Sequence, residues 1–164
     1  TIAMLLLGQP WLKPWRVEVI GTDISQRVLH MAREGLYGDA SFRSTDDLYK
    51  QRFFTAQEGK YRINDEVRNL VSISHLNLFD SARIALLGKM DVIFCRNVII
   101  YFDQAGKKKA IESFFQRLDP EGFLLLGHSE SLINLSTSFQ LRHFQHDMVY
   151  QKPMKTNLLS GDPL

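Results

Sequence analysis

The chain has 164 residues, 45% hydrophobic and 23% charged, with a formal net charge of +2. Such values describe one ordinary globular domain and exclude fibrous or strongly disordered chains, and at this length about 68–70% of the unfolded surface can be buried without staples. The single cysteine, Cys95, excludes an internal disulfide scaffold, and no Cys/His spacing matches a zinc module, so no metal and a reducing, cytoplasmic setting are expected.

The first apolar run, Ile2–Leu7, is far shorter than the ~20 residues of a membrane span and has no basic flank, so neither insertion nor a signal peptide is expected. A chain that opens on Thr1 and is apolar at once reads as a fragment that begins inside an element. Val17–Thr22 is short, β-branched and apolar and ends at Asp23, which predicts a buried strand. Ile24, Val28, Met31 and Ala32 then recur at helical spacing, and Gly35 stands where a C′ residue would end that helix. A polar helical stretch covers Thr45–Arg52; Lys60–Asn64 and Val71–His75 alternate with period two, which predicts a small antiparallel insertion.

Asp91–Cys95 is continuously apolar after its aspartate and predicts a second buried strand. Ala110, Ile111, Phe114, Phe115 and Leu118 form another helical stripe, and Asp103 is placed to cap that helix. Lys107–Lys109 lies on its first turns and reads as a solvated face; with the other basic residues dispersed, no nucleic-acid footprint is expected. Pro120-Glu121-Gly122 predicts a turn with Gly122 at the flexible position, followed by a third apolar run, Phe123–Gly127. Phe139–His143 and Met148–Tyr150 predict a closing hairpin, and the tail at 153–164 is unpatterned and expected to be loose. Continuous rather than alternating strands argue for a parallel sheet covered by helices on both faces, an α/β fold.

In such a sheet ligands bind beyond the carboxyl ends of the strands. Asp23, at the end of the first run, could accept bonds from two ribose hydroxyls or cap the following helix, with Gln26 completing a capping box. In Leu76-Asn77-Leu78 a carboxamide between apolar neighbours could read an adenine edge or serve as a turn residue. Arg96-Asn97-Val98, with Tyr101 close behind, interrupts a long apolar tract, and polar groups there need partners that a pocket would supply. Gly127-His128-Ser129-Glu130-Ser131 falls one residue short of a G-x-S-x-G nucleophile elbow, but as the acid of a hydrolase triad Glu130, adjacent to Ser129, could not reach round to orient a base, and no histidine follows Asp147. His30, His75, His143 and His146 show no metal spacing.

Taken together, GTDIS (21–25), LNLF (76–79), IFCRNVIIYFD (93–103) and FLLLGHSESL (123–132) resemble the CheR-type chemotaxis receptor glutamate methyltransferases. The resemblance implies a Rossmann-like methyltransferase fold over 1–152: a mainly parallel, doubly wound sheet with an antiparallel last strand and a small antiparallel β-subdomain inserted at about 52–74. It implies S-adenosylmethionine as cofactor and S-adenosylhomocysteine as product, with Asp23 on the ribose, Asn77 and Leu78 near the adenine, Asn97 and Val98 around the methionine moiety and adenosine, and Tyr101 as the catalytic residue beside the methyl group. The implied partners are the cytoplasmic helices of methyl-accepting chemotaxis receptors, whose glutamates become γ-glutamyl methyl esters. A non-catalytic cofactor-sensing or receptor-binding module of the same fold is the competing reading. The resemblance also implies an N-terminal helical domain and a first strand with a Gly-Glu-Glu-Pro-Tyr type motif ahead of Thr1, so activity belongs to the full-length protein. The loop at Thr55–Gly59 is shorter than in members that grip a tethering peptide.

Overall fold

In a computed structural model, which describes residues 1–145 and 147–154, the opening apolar run folds as a short helix, α1 (Ile2–Leu7). The chain forms two compact units, one of residues 1–77 and one from Leu78 onward.

In the first unit, β1 (Val19–Asp23) leads through Ser25 into α2 (Gln26–Glu34). The Ser25 hydroxyl accepts from the Val28 N–H and caps the helix, and Gly35, at φ 65°, ends it in the left-handed conformation expected of a C′ glycine. The stripe of Ile24, Val28 and Met31 does not enter the core: they are 64%, 43% and 59% exposed, while Leu29 is 2% exposed. Helical spacing marks an apolar stripe but not which side of the helix meets the sheet. Here the Arg33 guanidinium donates to the Ile73 carbonyl at 3.0 Å and helps fix how α2 lies on its strands.

The chain continues through β2 (Leu36–Tyr37), α3 (Asp47–Phe53), β3 (Phe54–Gln57), β4 (Lys60–Ile63) and α4 (Asp65–Arg68) to β5 (Val71–His75). Strands β2, β4 and β3 make a small antiparallel sheet in that order, turned at Glu58-Gly59, both with positive φ (48° and 73°), as a two-residue type I′ hairpin requires. Thr55–Gln57 is thus strand, and the connection, expected to be short, is only Glu58-Gly59. Val71–His75, however, is no part of the antiparallel insertion. It pairs in parallel with β1, from Val19 opposite Val71 to Asp23 opposite His75. Period two gives strand but not partner; α4 separates β5 from β4, and the Val19 N–H donates to the Leu70 carbonyl at 2.8 Å to start the pairing with β1. Ala3, Met4, Phe53 and Val67 form the buried centre of this unit.

In the second unit, α5 (Ser81–Leu86), β6 (Met90–Cys95), α6 (Gln104–Arg117), β7 (Leu118–Leu126), β8 (Gln140–His143) and β9 (Met148–Gln151) give a sheet of order β6-β7-β9-β8. β6 and β7 are parallel, joined through α6, and the expected closing hairpin adds β9 antiparallel to β7. Asp103 caps α6, its carboxylate accepting from the Gly106 N–H at 2.7 Å. The buried Lys152 ammonium donates to the Phe115 and Leu118 carbonyls near the other end, where helix carbonyls lack intrahelical partners. Of the lysine run, Lys109 is more than a solvated face: it donates to the Phe79 carbonyl. The core is Cys95, Ile99, Ala110, Ile111, Phe114, Leu118, Leu124 and Leu132, with Ile93 packed on it. Burial of β6 on both faces is not found, since Val92 and Phe94 are 43% and 50% exposed while Ile93 and Cys95 turn inward.

The expected flexible position of Pro120-Glu121-Gly122 moves by one residue: Glu121, not Gly122, has positive φ, 65°. Gly122 is needed for space, because a Cβ there would lie 2.9 Å from the Asp119 and Asp91 carbonyl oxygens. Relief of left-handed strain, about 1–2 kcal/mol, outweighs the entropic cost of glycine, about 0.5–1 kcal/mol, so Glu121→Gly should stabilise by roughly 0.5 kcal/mol or somewhat more. A urea midpoint that stays put or falls would refute this. His146 and the tail beyond Met154 lie outside the described residues.

Candidate functional site

Because β1 and β5 run parallel and end together, their carboxyl ends bring Asp23 and the segment leading to Asn77 to one edge of the first unit. The Leu76 N–H donates to the Asp23 carbonyl at 3.1 Å and fixes that segment beside β1. The half-buried Asp23 carboxylate accepts from the Ser25 N–H at 2.7 Å. The expected capping box on Asp23 and Gln26 is therefore absent, since the cap of α2 is Ser25. A carboxylate has about four acceptor sites, so this one bond leaves Asp23 capacity for a diol. Asn77, also half-buried, closes this unit.

Leu78 opens the second unit and packs against its core, a structural task that the sequence did not reveal. Just past β6, Asn97 adopts φ 58°, a left-handed conformation that asparagine tolerates better than most side chains. Val98 is 37% exposed, and a 3₁₀ turn over Ile99–Tyr101 buries Ile99 while leaving Tyr101 81% exposed. The aromatic of IIYF is thus no core residue; it stands at the surface, at the carboxyl end of the strand.

The stretch from 97 to 100 is held by Glu130, which the sequence offered only as a poorly placed member of a hydrolase triad. Its buried carboxylate accepts four backbone N–H groups: Gly127 at 2.7 Å and Asn97 at 2.8 Å on one oxygen, Val98 at 2.9 Å and Ile100 at 3.3 Å on the other. Burial alone would push this carboxyl up, but the donors from Gly127, Asn97, Ile100 and Val98 more than offset it and hold it below the ordinary carboxylate range. The acid of GHSES is thus occupied by backbone, and Ser129 at the elbow position and His128 before it are exposed. An acid three residues after a strand-ending glycine is a visible sign of a tight turn, and the Glu130 N–H does donate back to the Gly127 carbonyl. Its partners 30–33 residues earlier leave no such sign.

Cys95 is no nucleophile: burial, with the Glu130 charge nearby, pushes its thiol up to about 12. Asp23 suits vicinal hydroxyls, the Asn77 carboxamide suits a purine edge, and Asn97 with Val98 presents mixed polar and apolar surface beside an outward aromatic ring.

The family model described as "CheR methyltransferase, SAM binding domain" matches residues 1–148. Among curated proteins, chemotaxis protein methyltransferase 2 of Vibrio cholerae is 36% identical over 155 residues, covering 94% of this chain and 54% of its own length. The chemotaxis protein methyltransferase of Vibrio parahaemolyticus is 38% identical over 156 residues (92% and 56%), and that of Escherichia coli is 36% identical over 146 (87% and 51%). The chain therefore spans about half the length of the relatives it matches. With the match running through both units, the chain belongs to the CheR methyltransferase family as its S-adenosylmethionine-binding α/β domain, and S-adenosylmethionine is its cofactor.

Proposed function

We propose that the full-length protein transfers a methyl group to glutamate side chains on the cytoplasmic helices of chemotaxis receptors, leaving γ-glutamyl methyl esters and S-adenosylhomocysteine. The observation that carries this reading is the family match over residues 1–148, and the relatives' name, chemotaxis protein methyltransferase, supports the receptor as substrate. Among the described residues no helix is long and apolar enough to cross a membrane. In this reading residues 1–152 act as one catalytic domain, and the hairpin of β3 and β4, within about 52–74, is the part that meets the receptor.

When bound, S-adenosylmethionine supplies a methyl group on a sulfonium, open to in-line displacement by a carboxylate oxygen. Asp23 holds the ribose hydroxyls, Asn77 and Leu78 flank the adenine, and Asn97 and Val98 hold the methionine moiety and adenosine. A glutamate with pKa ~4.3 is ionised at neutral pH, so no residue need remove a proton. Tyr101 then positions the reactants through an outward ring, and orientation of this kind can supply about 7–11 kcal/mol of a barrier.

The deciding experiment mixes the full-length protein, radiolabelled cofactor and a receptor signalling domain, and looks for label on receptor glutamates released by base as methanol. Cofactor binding with no transfer would overturn the enzyme reading in favour of a sensing module. Within the same protein Asp23→Ala should weaken cofactor binding by roughly 1.5–3 kcal/mol, the range for hydrogen bonds to a charged group. An unchanged affinity with a lower melting temperature would leave Asp23 only its bond to the Ser25 N–H.

A further inference from the structure

Among the described residues the buried charged side chains are Lys152 and Glu130, and only the first is explained by its local surroundings, as the group that answers carbonyls near the end of α6. The Glu130 carboxylate enters no step of the proposed reaction. A carboxylate cannot donate, and its two oxygens offer about four acceptor sites; here backbone N–H groups occupy four. Three of those donors, Asn97, Val98 and Ile100, lie in the irregular stretch just past β6, and the fourth, Gly127, lies just past β7. That stretch has no strand ladder to satisfy its N–H groups, and it includes Asn97 in a left-handed conformation that needs support from its surroundings.

We infer that Glu130 is a positioning residue: by gathering the N–H groups of Asn97, Val98 and Ile100 it fixes the backbone that presents Asn97, Val98 and Tyr101 to S-adenosylmethionine, while touching no ligand itself. The inference rests on the roles proposed for those three residues. Gly127 belongs to the same device. A Cβ on it would meet the Asn97 carboxamide and come within 2.8 Å of a Glu130 oxygen, so the two loops close on each other only because that position is bare.

The test uses the full-length protein and Glu130→Gln, which keeps the shape but replaces one acceptor oxygen with a carboxamide NH2, a donor facing N–H donors. Two readouts are taken at a temperature where circular dichroism shows the variant folded: amide exchange residue by residue, and S-adenosylmethionine affinity by calorimetry. The Asn97, Val98 and Ile100 amides should exchange about ten-fold faster or more, with those of Leu124 and Leu125 in β7 unmoved, and the dissociation constant should rise about ten-fold or more. Combined with Asn97→Ala, the losses should fall short of additive, because both act on one piece of backbone. Glu130→Asp, which keeps the charge but withdraws it by one methylene, should fall between wild type and Gln, and carries the test if Glu130→Gln does not fold.

Faster exchange with unchanged affinity would overturn the inference, since Glu130 would then only hold a loop. Unmoved amides would overturn it as well. Failure of the wild-type protein itself to bind S-adenosylmethionine would instead overturn the site proposed above, which keeps the two failures distinct.

Discussion

Gly127→Ala should destabilise the second unit by about 2–6 kcal/mol, a larger effect than any surface change in this chain. The added methyl would overlap the Asn97 carboxamide and lie 2.8 Å from a Glu130 oxygen and 3.1 Å from the Asn97 nitrogen. Overpacking a tight site costs about 1–3 kcal/mol. The neighbours cannot swing aside, because the carboxylate is held by four backbone donors and the Asn97 nitrogen is main chain. Moving Glu130 away would strand buried N–H groups at about 1–3 kcal/mol more. The cause is space and not conformation, since Gly127 is not among the residues with positive φ. Gly88 is the useful contrast, with φ 77° and nothing within 4 Å of where a methyl would stand, so Gly88→Ala should cost only left-handed strain, about 1–2 kcal/mol. Urea denaturation of both variants decides it, and a Gly127→Ala loss below that of Gly88→Ala would sink the argument.

Tyr101→Ala should lower the methylation rate on the order of 10²-fold, the scale of a misplaced reacting group, with the cofactor dissociation constant little changed. Because Tyr101 is 81% exposed, its loss should leave stability within about 0.5 kcal/mol. That combination distinguishes a residue that positions reactants from one that packs. Tyr101→Phe keeps the ring and should retain more activity than alanine, and the gap between the two measures what the hydroxyl contributes. Equal losses of rate and cofactor affinity would contradict the positioning role, and a shift of a rate-limiting pKa near neutrality in Tyr101→Phe would reopen a base role.

The sequence carried the elements whose signals are local. β1 and α2 follow from a β-branched run, a helical stripe and the C′ glycine Gly35; β6, α6 and β7 follow from two apolar runs around a capped helix. What it could not carry is the choice of partner. Val71–His75 alternates as an antiparallel strand would, and only its pairing with β1 makes it parallel. Ile24, Val28 and Met31 form a proper stripe yet face outward, and Val92 and Phe94 sit in an apolar run yet keep one face exposed, because an apolar pattern does not name what covers it. The site divides in the same way. Asp23, Asn97 and Tyr101 could be proposed from the sequence because each stands at or shortly after the end of a strand. Glu130 was missed because its meaning lies in backbone donors 30–33 residues away, and main-chain N–H groups have no letter in a sequence.

Cys95 is the sole cysteine of the chain, and it sits buried at the last position of β6, two residues before Asn97. With its thiol pushed up to about 12, only a trace, on the order of 10⁻⁵, is thiolate at neutral pH, and burial hides even that trace from reagents. Alkylation can then proceed only through excursions in which the end of β6 swings free. The chain thus carries an intrinsic chronometer: the labelling rate at one atom counts how often the ground beneath the Asn97 loop gives way, with no probe to be engineered in.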